Sequence, residues 1–265
     1  MTGSLATAYS SGSQRARVVT EAWGEQNLFC PNCSSPKLTW LEPGHPASDY
    51  SCPRCEFWYQ LKSQRAPIRD SITDGAYGAM MKAIKNDEAP SYYFMQYDLA
   101  TWSVRNLLLV PHFAFPPSAI IKRKPLSSTA QRAGWVGCNF ALNRIPAEAR
   151  IAIVNETQIT PPSEVREKFR KVKPLKKLSV KERGWTLDVL NVVAAVCDRR
   201  RNDAHRAPLQ DWKEFTNEDI YAHARELENL HPDNRHIKDK IRQQLQVLRD
   251  AKLLIHAGTG RWRLP

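Results

Sequence analysis

Between Ser13 and Gln26 the apolar positions Ala16, Val19, Ala22 and Trp23 recur at helical spacing and predict an amphipathic helix. Ser71 stands where an N-cap would, and predicts a second helix through ITDGAYGAMMKAIK. Tyr92–Tyr97 and Val104–Val110 are dense in aromatic and branched side chains, the pattern of buried strands. A Pro-rich loop, FAFPPSAIIKRKPLSS, follows, and Ala152–Val154 is a short apolar run read as the last element of this region. Residues 1–12 are small and polar and are read as disordered.

The pattern changes in the last third. Lys168–Arg183, KFRKVKPLKKLSVKER, is basic without a clear apolar stripe, and is read as an interdomain linker able to lie on phosphates. Thr186–Val196 carries a helical stripe, a charged stretch (198–214) interrupts it, and Thr216 with Asp219 opens NEDIYAHARELENL as a capping-box-like helix start. A third helix begins near Asn234, and KLLIHAGTGRWRL predicts two strands around a Gly-rich turn. Three helices and a hairpin make a winged helix. The expected fold is therefore mixed, α+β/α/β, with one domain over 13–182 and a winged helix over 183–265.

Within the third helix Ile237, Ile241, Leu245 and Leu248 form one stripe, and Arg235, Arg242, Gln243, Gln246 and Arg249 lie on the other side. Arginine and glutamine pair with base edges in the major groove. A solvated helix face is the competing reading. Arg261 and Arg263, beside Gly258 and Gly260, supply a basic wing and favour DNA.

Charge changes the picture next. Lysine plus arginine number 39 against 27 acids, a net charge of +12, which suits a polyanionic partner. The best candidate run, LNVVAAVC from Leu190, is too short for a bilayer, so no membrane role is expected. The N-terminal segment lacks a signal-peptide core, so a cytoplasmic, reducing compartment is expected.

There, paired cysteines hold metal. Cys30 and Cys33 sit in CPNC, and Cys52 and Cys55 in CPRC, with 18 residues between the pairs. Four thiolates at this spacing fit a closed, tetrahedral, structural Zn²⁺ site. Cys138 and Cys197 stand alone and are read as buried small residues.

The second pair lies inside another pattern, in which Asp49 is followed after ten residues by Gln60-Leu61-Lys62. On a strand, Gln60 and Lys62 point to one face while Phe57, Tyr59 and Leu61 occupy the other. Asp49 and Gln60 would each offer an oxygen to Mg²⁺, and Lys62 would orient or deprotonate a nucleophilic water. Taken alone, this pattern is weak and favours a surface strand; the adjacent cysteine pairs and the basic composition raise the catalytic reading. It resembles the PD-(D/E)xK nuclease superfamily, with glutamine in place of the usual acid before x-Lys.

A more specific resemblance spans the chain from about Ser13 to Arg263. SQRARVVTEAW, the CPNC and CPRC pairs, LKSQ, DGAYGAMMKA, IIKRKPLSSTAQRAGWVGCN, RGWTLDVLN and HIKDKIRQQLQVLRD resemble, in order, the DpnI family of methyl-directed restriction endonucleases. The resemblance implies a PD-(D/E)xK nuclease core with an inserted four-cysteine zinc site and a C-terminal winged helix. Both would read double-stranded DNA carrying N6-methyladenine in GATC. It implies Asp49, Gln60 and Lys62 at catalytic positions, Mg²⁺ as catalytic ion, and a monomer. It places Trp135, in RAGWVG, in the methyladenine-sensing pocket, whereas position alone makes that indole a core anchor. Alternative readings are a methylated-DNA-binding protein in which Gln60 has weakened or abolished cutting, and an RNA-binding zinc ribbon, which leaves Asp49 and Lys62 without a role.

Overall fold

A computed structural model of the protein describes residues 1–42, 48–204 and 212–265. The first domain contains α1 (Gly12–Asn27), β1 (Thr39–Trp40), β2 (Tyr50–Ser51), β3 (Trp58–Gln64), β4 (Ser71–Ala76), α2 (Tyr77–Lys85), β5 (Ser91–Tyr97), β6 (Val104–Val110), β7 (Ile120–Lys122), β8 (Gly137–Ala141), β9 (Ile151–Asn155), β10 (Gln158–Ile159) and α3 (Pro162–Val172). There follow α4 (Val180–Ala204), β11 (Glu214–Thr216), α5 (Asn217–Tyr221), α6 (Ala224–Leu230), α7 (Ile237–Asp250), β12 (Ile255–Gly258) and β13 (Arg261–Arg263).

A seven-stranded sheet runs β1-β2-β3-β5-β6-β9-β10, and a smaller one runs β4-β8-β7. In the large sheet β3 and β5 pair in parallel, with Gln60 opposite Tyr92 and Lys62 opposite Phe94. All seven residues of β5 are buried, because both faces of this central strand are covered. Tyr92 and Phe94 face the small sheet and pack with Phe115 and Phe140, at 4.8 Å between the Tyr92 and Phe140 rings. Tyr93, on the other face, donates to the Phe29 carbonyl at 2.8 Å, under the cysteine turns. Burying each such ring stabilises the fold by roughly 1.5–3 kcal/mol.

The predicted α1, β5, β6 and β9 are present within a residue or two. Strand β9 is not the last element of its region, since β10 and α3 follow it. Three further expectations are corrected. Ser71 caps no helix. Ser71–Ala76 is a strand paired with β8, and α2 starts only at Tyr77. The β-branched Ile72 and Thr73 and the flexible Gly75 disfavour a helix there. Lys168–Arg183 is not a linker. It contains the end of α3, a 3₁₀ turn over Lys173–Lys177 and the start of α4. Val165, Phe169, Val172 and Leu175 are buried, a stripe that begins upstream of the basic window. Residues 3–8, read as disordered, form a 3₁₀ helix, with Gly3 against the Trp102 indole. Cys138 and Cys197 are buried, as expected.

Helix α4 spans more than the predicted Thr186–Val196 and joins both halves. It packs on the 3₁₀ turns of the first domain and on α5 and α7 of the second. Buried Asp188 accepts from Ser118 Oγ at 2.6 Å and meets His231 Nε2 at 2.8 Å, while the His231 ring stacks on Trp185 at 3.8 Å. Thr186 Oγ1 donates to Gln244 of α7 at 2.6 Å. The charged stretch 198–214 is helical as far as Ala204, and residues 205–211 lie outside the described ones.

In the C-terminal unit β11, β13 and β12 form an antiparallel sheet. The capping box is present: Thr216 N–H donates to Asp219 Oδ2 at 2.6 Å, and Asp219 N–H to Thr216 Oγ1 at 3.3 Å. The single helix predicted after it is two, α5 and α6, with Ile220 and Leu227 both in the core.

Candidate active site and metal centre

The two CxxC turns fold onto each other. The Cys30, Cys33, Cys52 and Cys55 sulfurs lie within 4.8 Å of one another, with Cys30–Cys55 at 3.6 Å and Cys33–Cys52 at 3.5 Å. A disulfide needs about 2.05 Å. A tetrahedral site with bonds of about 2.3 Å has edges near 3.8 Å, so these thiols fit a single Zn²⁺. Backbone N–H groups of Ser35 and Arg54 point at Cys33 and Cys52 sulfurs, each at 3.4 Å. Burial pushes the Cys30 thiol up. Burial would also raise Cys52, but the N–H groups of Arg54 and Cys55 and neighbouring Cys33 and Cys55 bring it down to about 7. Arg166 of α3 donates to the Cys33 carbonyl at 2.8 Å and the Ser35 carbonyl at 3.1 Å, tying the turns to the domain.

The second turn connects β2 to β3 and so sets Asp49 beside the QLK strand. Asp49 N–H donates to the Tyr59 carbonyl at 2.9 Å, and its Oδ2 accepts from Leu61 N–H at 2.8 Å. Tyr50, the next residue, passes α1 where Gly24 has no side chain and donates to the Glu21 carbonyl at 2.8 Å. Burial pushes the Asp49 carboxyl above its ordinary range, against the Leu61 N–H bond. Glu21 adds to the rise, and the charges of Lys62 and Arg17 oppose it. Tyr59 and Leu61 are buried on one face of β3, and Gln60 and Lys62 are half-buried on the other, beside Tyr92 and Phe94. Phe57 lies before the strand, half-buried against His112 and Phe169.

Lys62 Nζ meets Asp74 Oδ1 of β4 at 2.5 Å. Asp74 opens the DGAYGAMMKA segment, but the sequence reading gave it no role. Its signal was available in period two: Ile72 and Asp74 share the inward face of β4, opposite Phe140 and Cys138. Reading that stretch as a helix concealed it.

Trp135 is half-buried at the base of the exposed segment between β7 and β8, which carries Arg123, Lys124 and Arg132. The Arg132 guanidinium lies 4.9 Å from the indole centre. A Cβ on Gly137 would come within 2.8 Å of the same ring. The indole therefore rests on Gly137 and beneath Arg132, a bracket that sequence reading missed.

On α7, Ile241, Leu245 and Leu248 are buried and Ile237 half-buried, as the stripe predicts; Gln244 is also buried, bonded to Thr186. Arg242, Gln243, Gln246 and Arg249 are exposed on the helix, and Arg235 is exposed just before it. Arg242 pairs with Asp239, Gln243 accepts from Lys240 at 2.7 Å, and Arg249 pairs with Asp250 at 2.9 Å. In the wing, Arg261 pairs with Glu214 at 3.0 Å.

The model of the DpnI (Dam-replacing) family matches residues 1–178, and that of the Dam-replacing HTH domain matches residues 209–264. The chain belongs to the DpnI family. Methyl-directed restriction and DNA binding through a helix–turn–helix unit come with that membership. The DpnI-type HTH match contains α6 and α7, so the exposed Arg/Gln side of α7 lies in the DNA-binding unit. α4 lies wholly between the two DpnI-family matches, yet supplies packing to both halves. Among the described residues no helix is long and apolar enough to cross a membrane.

Proposed function

We propose that this chain is a Mg²⁺-dependent endonuclease that cuts double-stranded DNA at GATC sites carrying N6-methyladenine. A PD-(D/E)xK-type nuclease domain over 13–182 and a winged helix over 183–265 would both read the methylated site, with the protein acting as a monomer. Structural Zn²⁺ is held by Cys30, Cys33, Cys52 and Cys55. The observation that carries the reading is the placement of Gln60 and Lys62 on one face of β3. Asp49 is pinned beside them by Leu61 N–H, in a chain of the DpnI family.

Asp49 and Gln60 are the oxygen donors that would hold Mg²⁺, which when bound polarises the scissile phosphate and acidifies a water. Leu61 N–H fixes the Asp49 carboxylate, so little reorganisation is left for the reaction. Lys62 carries a positive charge on a flexible stem toward the phosphate. Arg235, Arg242, Gln243, Gln246 and Arg249 hold α7 in the major groove, with arginine suited to guanine and glutamine to adenine. The Trp135 edge contacts the methyl group. One methyl contributes on the order of 1 kcal/mol, so two domains reading one site strengthen the discrimination.

A methylated-DNA-binding protein is the second reading, favoured by the neutral Gln60 and by the engagement of Lys62 with Asp74. Plasmid from methylating and non-methylating hosts, incubated with protein and Mg²⁺, separates the two. Cleavage confined to methylated plasmid supports the nuclease. Retarded but intact methylated plasmid supports the binding protein.

A further inference from the structure

We propose that Asp74 supplies the second carboxylate of the metal site, the charge that Gln60 lacks. This rests on the nuclease reading above and deepens it. Asp49, Gln60 and Lys62 together carry no net formal charge, an unfavourable set for a divalent cation. Mg²⁺ is ordinarily held by one or two carboxylates, and an amide oxygen is a weaker donor.

Asp74 meets the Gln60/Lys62 face of β3 through its contact with Lys62. It sits on the inward face of β4, between Ile72 and a bulge before Ala76, where its neighbours are the apolar Phe140 and Cys138. Its side chain is 3% exposed, whereas that of Lys62 is 27% exposed. Asp74 Oδ1 is buried and accepts no regular hydrogen bond, leaving the Lys62 ammonium as its partner. The charge of that ammonium also bears on Asp49, so Lys62 links the two carboxylates. Tyr92, opposite Gln60, feels both: burial first, then Asp74, Cys138 and Asp49, hold its hydroxyl well above the ordinary range.

A buried ion pair is a poor way to stabilise a core, since apolar residues of similar volume usually do as well or better. Here the pair holds a carboxylate buried beside the strand that bears the proposed ligands. The lysine stem is flexible and reaches solvent. Its ammonium can move toward a phosphate and release Oδ1 to an arriving cation.

The test is calorimetric titration of Mn²⁺ into the full-length, zinc-loaded chain, comparing wild type with Asp74→Asn and Asp49→Asn. Each substitution is expected to weaken binding at least about tenfold. Unchanged affinity in Asp74→Asn with weakened affinity in Asp49→Asn overturns the role of Asp74 and leaves the nuclease reading standing. Unchanged affinity in both, or no binding by wild type, overturns the metal site itself. If Asp74→Asn does not fold, Lys62→Met/Asp74→Asn removes both members of the pair. Loss of the lysine charge alone would tighten cation binding. Weaker binding by the double variant than by Lys62→Met therefore supports Asp74 as a ligand, and equal or tighter binding overturns it.

Discussion

Lys62 of β3 and Asp74 of β4 meet at 2.5 Å across the space between the two sheets of the first domain. The contact joins a residue of the QLK motif to one that the sequence reading gave no chemical role. It fixes the resting position of the lysine ammonium on the inward side of the QLK strand. Lys62→Ala is expected to lower cleavage of methylated plasmid by about a hundredfold or more while leaving duplex binding intact. Gel retardation beside a cleavage assay checks this, and cutting at the wild-type rate would remove Lys62 from the mechanism.

Gln60 faces the same side as Lys62, opposite Tyr92. Gln60→Glu adds a carboxylate where an amide oxygen stands. Its cleavage rate at saturating Mg²⁺ is expected to equal or exceed that of wild type, with less Mg²⁺ needed for half-maximal rate. A clear loss of rate would give the amide group a role of its own.

Cys52 contributes to a four-sulfur cluster whose loops carry β3 and Asp49. Structural zinc contributes on the order of 10 kcal/mol to folding in small zinc modules. Cys52→Ser is expected to lose bound zinc and to lower the melting temperature of the first domain. Elemental analysis and a thermal melt read both, and an unchanged melt would contradict a structural ion.

Gly137 leaves room for the Trp135 ring, which a Cβ would meet at 2.8 Å. Gly137→Ala is expected to displace the indole and to lower the preference for methylated over unmethylated duplex by about fivefold, the worth of one buried methyl. Trp135→Ala is expected to do the same. The ratio of cleavage rates on the two duplexes is the readout, and an unchanged ratio in both variants would leave Trp135 as a packing residue.

His112 is buried beside Phe57, with Ser91 Oγ 3.3 Å from its Nδ1. Burial brings the imidazole down to about 4; Asp87 opposes this, and Lys176 and Arg183 add to it. The unfolded chain, with an ordinary value near 6.5, therefore binds the proton more readily than the fold does. Stability from this group is fully present above pH ~6.5 and is lost as pH falls toward ~4, by an amount on the order of 3 kcal/mol. Denaturant melts across that range should show the loss in wild type and a shallower slope in His112→Asn. Equal slopes would refute it.

Much of this was legible in the chain because it depends on short-range regularities. The CxxC spacing brings two thiols to one turn wherever it occurs. Period-two alternation places Gln60 and Lys62 on one face, and the 3.6-residue period separates Ile241, Leu245 and Leu248 from the exposed Arg/Gln side of α7. Tertiary structure decided what depends on distant partners. Ser71–Ala76 became a strand because β8 was there to pair with it. The basic run after Lys168 became helical because Phe169, Val172 and Leu175 found a core. Asp74 met Lys62 only once the two sheets had closed on each other. Local spacing is written into covalent geometry, whereas the partner of a buried charge or ring is chosen by packing across the whole domain.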